Sequence, residues 1–400
     1  MARENAIFRP LRRAGEGREG EKRVKPKRYF DYMLLFMILF LISFGLVMIY
    51  SISAYNATKY YDDATLFVRN QAIYAVLGFV LMLIVAKFDY HWYVAKLKIH
   101  KKFQPSLLLI GYIICIALQF YVWRWGDGTN GSNRWIPLGK SFKLQPSEIT
   151  KLLMVLLVAY LAYIAPKKLD HFSGFFRILF YSAPLVFLVA AENFTTALIM
   201  VGVVFAVPFI TSRKKGYFFF SLALAFVAGI GLIQMEGYRR ARIDIWLDIE
   251  NTPGGYQILQ GLYALASGGW FGKGLGNSIQ KLGYIPEVHT DMIFTCIIEE
   301  LGIVGGFFLV AIYGVLLVRL FKVAVHAPDL LGSLIVVGVF VQIAMQAVLN
   351  IAVVTNTIPS TGVPLPFISY GGSSLVFLMI EMGFVLNVSN QIDYDAAPQQ

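Results

Sequence analysis

Long runs of apolar residues, separated by shorter polar segments, occupy most of the sequence. A membrane-spanning α-helix needs roughly 20 apolar residues, because each residue adds about 1.5 Å and the hydrocarbon core is about 30 Å thick. Most of the runs reach this length, and two in the middle of the chain are shorter. We therefore predict an all-α polytopic membrane protein, a bundle of ten transmembrane helices at about residues 29–53, 69–88, 105–123, 148–165, 177–191, 194–212, 216–234, 291–318, 331–356 and 373–390.

Composition agrees with a chain that lipid surrounds. Apolar residues make up 57% of the 400 residues and charged residues 15%, against roughly 25% charged in an average soluble domain. Such a chain cannot bury its side chains in one soluble core. The two cysteines, Cys115 and Cys296, lie inside apolar runs, so they indicate neither a disulfide framework nor a metal site.

The polar segments differ in charge. Residues 1–28 form a basic tail without apolar periodicity, which predicts a disordered segment. Lys and Arg also concentrate in alternate short loops, so we expect both termini, including a 391–400 tail, to be cytoplasmic. The net charge of +11 then indicates acidic lipid headgroups or a cytoplasmic partner, and no nucleic acid. The extracytoplasmic loops are predicted at about 124–147, 235–290 and 357–372, and the large one lies between helices 7 and 8.

Four motifs occur in order along the predicted spans. They are Gln145-Pro146-Ser147-Glu148 with Lys151 beyond it, the Gly-rich run from Gly272 to Lys281, the run from Pro286 to Asp291, and the run from Pro359 to Ser374. Over roughly residues 29–390 the chain resembles the shape, elongation, division and sporulation (SEDS) family, whose members are FtsW, RodA and SpoVE. The second and third motifs resemble FtsW and SpoVE more than RodA.

This resemblance implies a peptidoglycan glycosyltransferase of the bacterial cytoplasmic membrane, acting in cell division or sporulation. It implies that the chain polymerises lipid II into glycan strands at the outer face and releases undecaprenyl pyrophosphate. The implied partners are a class B penicillin-binding protein, which crosslinks the strands, and other membrane proteins of the divisome or elongasome. One turn departs from the family pattern, because Asn193 stands where the family has Asp.

The resemblance places the catalytic base at Asp291, where the third motif meets the eighth predicted span. A base must take the proton of the attacking sugar hydroxyl, and a carboxylate can do this. The alternative interpretation is helix capping, since Thr290 and Asp291 are both favourable N-cap types. Glu299 and Glu300 lie farther into the same span, where we favour hydrogen bonding between helices over a functional role.

Substrate contacts are expected from cations that could hold a pyrophosphate and from polar residues of the motifs. Ion pairing is the alternative for the charged members, and tight turns or close backbone packing are the alternatives for the glycines. The predicted substrate-binding residues are Arg69, Ser147, Glu148, Lys151, Arg242, Lys273, Lys281, Glu287, His289, Ser369, Gly371 and Gly372.

Two other functions remain open at this point. A lipid II flippase would need charged residues along a path through the membrane. Glu299, Glu300 and Glu381 lie within predicted spans and are compatible with such a path. A non-catalytic scaffold that recruits division proteins is the third hypothesis. A divalent ion, Mg²⁺ or Mn²⁺, could accompany the pyrophosphate, although the sequence contains no dedicated ligand cluster.

Overall fold

A computed structural model describes residues 30–94, 106–129, 132–137, 143–235 and 237–392. The predicted disordered tail at 1–28 lies outside these residues. Within them the chain forms α1 (Tyr32–Tyr61), α2 (Leu66–Lys87), α3 (Leu107–Trp125), β1 (Asp127–Thr129), β2 (Ser132–Pro137), β3 (Lys143–Leu144), α4 (Pro146–Tyr163), α5 (Phe172–Glu192), α6 (Phe194–Thr211), α7 (Gly216–Met235), α8 (Gly237–Leu247), α9 (Tyr256–Gly268), α10 (Ile293–His326), α11 (Leu330–Val354) and α12 (Gly372–Ser389).

The helices confirm the predicted all-α membrane fold. Among the described residues, nine helices are long and apolar enough to cross a membrane. The predicted seventh span is the twenty-residue helix α7, which is not among those nine. The tenth crossing therefore stays a prediction.

The two largest predicted loops contain secondary structure of their own. The loop predicted at about 235–290 contains α8 and α9, and the loop at about 124–147 contains a small antiparallel sheet in the order β1-β2-β3. Helix α1 also continues beyond the predicted 53 to Tyr61, and the left-handed Asp62 ends it. Apolar run length marks where lipid is the solvent, so it misses helical turns that continue beyond the membrane.

Polar side chains cap several helices at their first turn. Asp31 accepts the amide of Leu34, and Asp329 accepts the amide of Gly332 at 2.8 Å. At the turn that departs from the family pattern, Asn193 Oδ1 accepts the amide of Thr196 at 3.1 Å. An amide oxygen caps a helix about as well as a carboxylate does, so the turn keeps its cap without a charge.

Helix α4 is among the most buried helices, and it packs against α3, α5, α6, α11 and α12. Helices α2 and α12 pack against each other along their lengths. Gly78 on α2 lies against Met379, and Gly383 on α12 lies against the backbone of Met82, where a Cβ would approach to 2.8 Å. Small residues let helix backbones approach closely, which is how helices in lipid gain packing energy.

The chain brings its two described ends to one face of the bundle. Arg319 of α10 forms an ion pair with Asp31 at 2.8 Å before α1, and Asn387 of α12 donates to the carbonyl of Ala86 at 2.8 Å. The opposite face carries Asp291, α8, α9 and the loop before α12. We call this opposite face the Asp291 end.

Helix α10 is broken at Gly302, whose φ of 75° and ψ of −179° are not helical. Residues 269–274 insert into the break. The amides of Lys273 and Gly274 donate to the carbonyls of Glu299 and Glu300, both at 2.9 Å. The amides of Ile303 and Val304 donate in turn to the carbonyls of Gly269 and Trp270, at 2.9 and 3.2 Å.

The break changes which part of α10 spans the membrane. The segment 303–326 alone is about 36 Å long at about 1.5 Å per residue, which is enough to cross the hydrocarbon core. The first part of α10, with Glu299 and Glu300, therefore belongs to the Asp291 end. Asp291 precedes α10, and Gly302 interrupts that helix, so residues 291–318 do not form the single continuous helix that the sequence predicts.

Candidate functional site

Asp291 lies in the turn segment that leads into α10, at a partly exposed position. The hydroxyl of Thr290 donates to its carboxylate at 3.2 Å, and Asn350 donates to its backbone carbonyl at 2.8 Å. Met292 occupies the N-cap position of α10, and no side chain caps the helix there. The capping interpretation of Asp291 is therefore wrong, and the hydrogen bonds to its carboxylate come from Thr290 and from the backbone of its own turn segment.

The surroundings of Asp291 favour a basic carboxylate. Burial raises the pKa of Asp291, while local hydrogen bonds and the nearby Arg242 oppose the rise. A higher pKa makes the carboxylate a stronger proton acceptor near neutral pH. Arg242 donates to the carbonyl of Ser360 at 2.8 Å, so α8 holds this cation beside the last loop and close enough to act on Asp291.

Glu287 and His289 lie in the same turn segment. Glu287 has a φ of 50° and a side chain that is 72% exposed. His289 is buried against Phe67, 4.4 Å between ring centroids, and against Tyr370 at 5.2 Å. Burial lowers the pKa of His289 to about 4, so its imidazole is neutral at pH 7.

The loop between α11 and α12, residues 355–371, has few backbone hydrogen bonds of its own. Side chains from several helices hold its carbonyls instead. The donor and acceptor pairs are Trp246 to Asn356, Arg242 to Ser360, Thr195 to Thr361, Asn350 to Val363, Tyr313 to Pro366 and Gln71 to Ser369. This arrangement brings Gly362 against Asp291, where a Cβ would lie 3.8 Å from Oδ2.

The predicted sites in the last motif have partners within the protein. Ser369 Oγ accepts the amide of Leu365 at 2.8 Å, and the amide of Gly371 donates to Gln71 Oε1 at 3.2 Å. A Cβ on Gly372 would lie 2.4 Å from the ring of Tyr74. Close packing therefore accounts for Gly372, whereas a Cβ on Gly371 would lie 3.5 Å from Ser374 Cβ, an ordinary contact. The role of both glycines in substrate binding stays a prediction.

Lys273 and Lys281 point into the helix break. Lys273 Nζ lies 2.7 Å from Glu299, and Lys281 Nζ lies 3.0 Å from Glu300. Glu300 also accepts from Ser51 of α1 at 2.7 Å. The predicted structural role of the two glutamates is confirmed by these contacts, and the charges of both lysines are neutralised within the protein.

A second group of predicted residues lies at the start of α4. Glu148 and Lys151 form a buried ion pair at 2.8 Å, as the alternative interpretation expected. Ser147 is buried beside them. Ser373 of α12 donates to the carbonyl of Lys143 at 2.7 Å, so the start of α4 adjoins the loop before α12. Deeper in the bundle, Glu381 accepts from Gln342 of α11 at 2.6 Å, so it hydrogen-bonds two helices together.

Arg69 lies at the Asp291 end with most of its side chain exposed, in an ion pair with Asp63 at 3.0 Å. It is two residues from Phe67, which packs on His289. The structure therefore brings Arg69, Arg242, Glu287, His289 and Asp291 to one face. It places Lys273 and Lys281 in the helix break, and Ser147, Glu148 and Lys151 within the bundle.

Sequence reasoning missed two buried amides of this region. Asn350 joins Asp291 to the last loop, and Gln119 of α3 contacts Thr150 of α4 at 2.9 Å. A polar residue in an apolar helix is the only signal that could have found them. The described residues contain no group of three acidic, His or Cys side chains that could hold a metal.

Residues 32–394 match the profile of a family described as cell cycle protein, FtsW, RodA and SpoVE. The chain is 37% identical to stage V sporulation protein E of Bacillus subtilis, over 91% of this chain and 98% of that protein. It is 35% identical to a probable peptidoglycan glycosyltransferase FtsW of a Geobacter species, over 91% of this chain and 97% of the relative.

Solved structures share the architecture. One, described as structural coordination of polymerization and crosslinking by a peptidoglycan synthase complex, aligns with a TM-score of 0.72 at 26% identity, over 90% of this chain and 97% of that one. The rod shape determining protein RodA of Thermus thermophilus aligns with a TM-score of 0.64 at 24% identity, over 91% and 98% of the two chains. The second likeness concerns the fold alone.

Proposed function

The chain belongs to the FtsW, RodA and SpoVE family of cell cycle proteins, and we propose from this premise that it polymerises lipid II at the Asp291 end of its bundle. It is a peptidoglycan glycosyltransferase, as its FtsW relatives are named, with a role in cell division or sporulation. The observation that supports the site is the environment of the Asp291 carboxylate. Its carboxylate caps no helix, has a raised pKa, and lies near Arg242.

The geometry suggests a division of roles. Asp291 accepts the proton of the sugar hydroxyl that attacks the anomeric carbon of the second lipid-linked substrate, and undecaprenyl pyrophosphate leaves. Arg242 and the exposed Arg69 are the cations best placed to meet the pyrophosphate. Lys273 and Lys281 support the site indirectly, because their charges are matched by Glu299 and Glu300.

We place the Asp291 end outside the cytoplasmic membrane and both termini inside. This orientation is supported by Lys and Arg residues at the other face, including Arg213, Lys214 and Lys215 between α6 and α7 and Arg319 and Lys322 on α10. The proposed partner is a class B penicillin-binding protein. Its support is the likeness to a complex described as coordinating polymerization and crosslinking.

Any Mg²⁺ or Mn²⁺ is proposed to arrive with the pyrophosphate. The described residues do not fit a resident ion held by the protein, because no three ligand side chains come together there. Mg²⁺ commonly binds substrate phosphates with only one or two carboxylates. Asp291 and Glu287 are the acidic residues at the site that could contribute.

The transport hypothesis has weaker support. Among the buried residues that could line a path through the membrane, Lys151 forms an ion pair with Glu148, and Glu381 accepts a hydrogen bond from Gln342. Purified protein in liposomes would separate the two functions, because a flippase moves lipid II between leaflets without forming polymer. A scaffold would do neither.

The decisive experiment substitutes Asp291→Asn in the full-length protein and supplies purified lipid II, with and without the cognate penicillin-binding protein. We expect no glycan polymer, because the amide cannot accept the proton. Asp248→Asn is the matched control, since it makes the same chemical change at an exposed carboxylate of the same end. Near-normal polymer from Asp291→Asn would refute the assignment of the base.

A further inference from the structure

Asn350 lies four residues before the end of α11 and is only 1% exposed. Its side-chain nitrogen donates two hydrogen bonds, to the carbonyl of Asp291 at 2.8 Å and to the carbonyl of Val363 at 2.7 Å. Both protons of the amide are therefore used. The two acceptors belong to segments that are 72 residues apart in the chain, 291 and 363.

The Asp291 carbonyl has a particular need for this donor. Within an α-helix a carbonyl accepts the amide four residues later. Asp291 precedes the helix, and the amide of Thr295, four residues on, donates to Met292 instead. Asn350 supplies the missing donor from another helix. Without it this part-buried carbonyl would lose its partner, and the backbone of Asp291 would lose a fixed contact.

The second hydrogen bond fixes the last loop against the same point. Val363 follows Gly362, which lies against the Asp291 carboxylate. The side-chain amide of Asn350 thus links the backbone of Asp291 to the Gly362–Val363 backbone, which lies against the Asp291 carboxylate. We infer that Asn350 is a positioning residue, which holds Asp291 in register with the Gly362–Val363 backbone through its two hydrogen bonds. This inference rests on the proposed function of Asp291.

Placement of this kind affects turnover strongly. A misplacement of about 1 Å in a reacting group can cost about 10²-fold in rate. Asn350 does not act on substrate itself, because it is buried behind the backbone of Asp291. Its loss should therefore lower kcat more than it changes KM.

The test substitutes Asn350→Asp, which keeps the shape and exchanges the donating amide for a carboxyl. An ionised carboxyl faces two carbonyl oxygens and repels both, whereas a protonated one can donate one hydrogen bond. The charged or titratable groups of the surrounding segments are Asp291, Glu287, His289 and Arg242. Taking the ratio of variant to wild-type kcat at each pH cancels their shared titration.

We expect Asn350→Asp to lower kcat about tenfold or more at neutral pH. The ratio to wild type should recover as the pH falls and the introduced carboxyl becomes protonated. Asn387→Asp is the matched control, because Asn387 makes a similar buried amide-to-carbonyl bond at the opposite face. That variant should lower thermal stability without changing the pH dependence of kcat.

Several outcomes would overturn the inference. One is a ratio of Asn350→Asp kcat to wild-type kcat that is close to one, or that is equally reduced at every pH. Another is unfolding of both Asn350→Asp and Asn350→Ser in detergent, which would make Asn350 a folding residue. Failure of the wild-type protein to form polymer from lipid II would instead count against the proposed function, so the two failures are distinguishable.

Discussion

The break in α10 allows a stability prediction with a control in the same helix. Gly302 has a φ of 75° and a ψ of −179°, a backbone region that is essentially restricted to glycine. A Cβ there would lie 2.3 Å from the carbonyl oxygen of Trp270 and 2.5 Å from the amide nitrogen of Gly272. Both neighbours are backbone atoms, so no side chain can rotate away to relieve the clash.

The cost of Gly302→Ala follows from two sources. Forcing alanine into this backbone region costs about 1–3 kcal/mol. If the inserted segment moves away instead, the four backbone hydrogen bonds at the break are lost or must be replaced, at about 0.5–1.5 kcal/mol each. We therefore expect the variant to lose about 1–3 kcal/mol of the free energy of unfolding, or more if the close contacts with Trp270 and Gly272 are not relieved.

Gly314→Ala is the matched control. Gly314 lies in the continuous part of α10, and a Cβ there meets nothing within 4 Å. Alanine inside a helix is favoured over glycine by roughly 0.5–1 kcal/mol, so this variant should be neutral or slightly stabilised. Thermal unfolding of both full-length variants in the same detergent measures the difference. Equal stability of the two variants would show that the break does not require glycine.

Two further predictions concern charge. Lys281→Met should destabilise the protein by about 3–5 kcal/mol, because it leaves the buried Glu300 carboxylate without its cation, and the double variant with Glu300→Gln should recover stability in thermal unfolding. The reasoning fails if the double variant is as unstable as the single one. His289 has a folded-state pKa of about 4, below its ordinary value of about 6.5, so the unfolded chain binds more protons as the pH falls between these values. The free energy of unfolding should therefore fall by up to about 3 kcal/mol as the pH drops from about 6.5 to 4. The His289→Gln variant should lack this part of the loss when its unfolding is measured across the same pH range.

Much of the fold follows from local properties of the sequence. Lipid requires each span to satisfy its own backbone hydrogen bonds and to expose apolar side chains, so run length alone located the nine described helices that are long and apolar enough to cross a membrane. The break at Gly302 could not be located in this way, because the run at about 291–318 is long enough to be taken as one span even though it contains Glu299 and Glu300. Its cause is a segment about thirty residues earlier that supplies backbone partners.

The residues of the candidate site also differ in whether local sequence was enough to predict them. The position of Asp291 was available from its motif, since the residue types and their order are local information. The contacts of Lys273 and Lys281 were not, because a cation in a polar loop looks the same whether it faces a substrate or a buried carboxylate. Their ion pairs depend on where Glu299 and Glu300 lie after folding. Asn350 was missed for a similar reason, since its two acceptors become neighbours only in the folded protein.

The order of residues at the break bears on how the protein is made. Ser51, Lys273 and Lys281 all precede Glu299 and Glu300 in the chain, so a ribosome synthesises the partners of both acids first. The acids of α10 can be neutralised as soon as that helix emerges. The contacts around Asp291 depend on Asn350 and Val363, which are synthesised later. During biogenesis the broken helix can therefore form early, while the Asp291 end is completed only after α11 and the loop beyond it have been inserted.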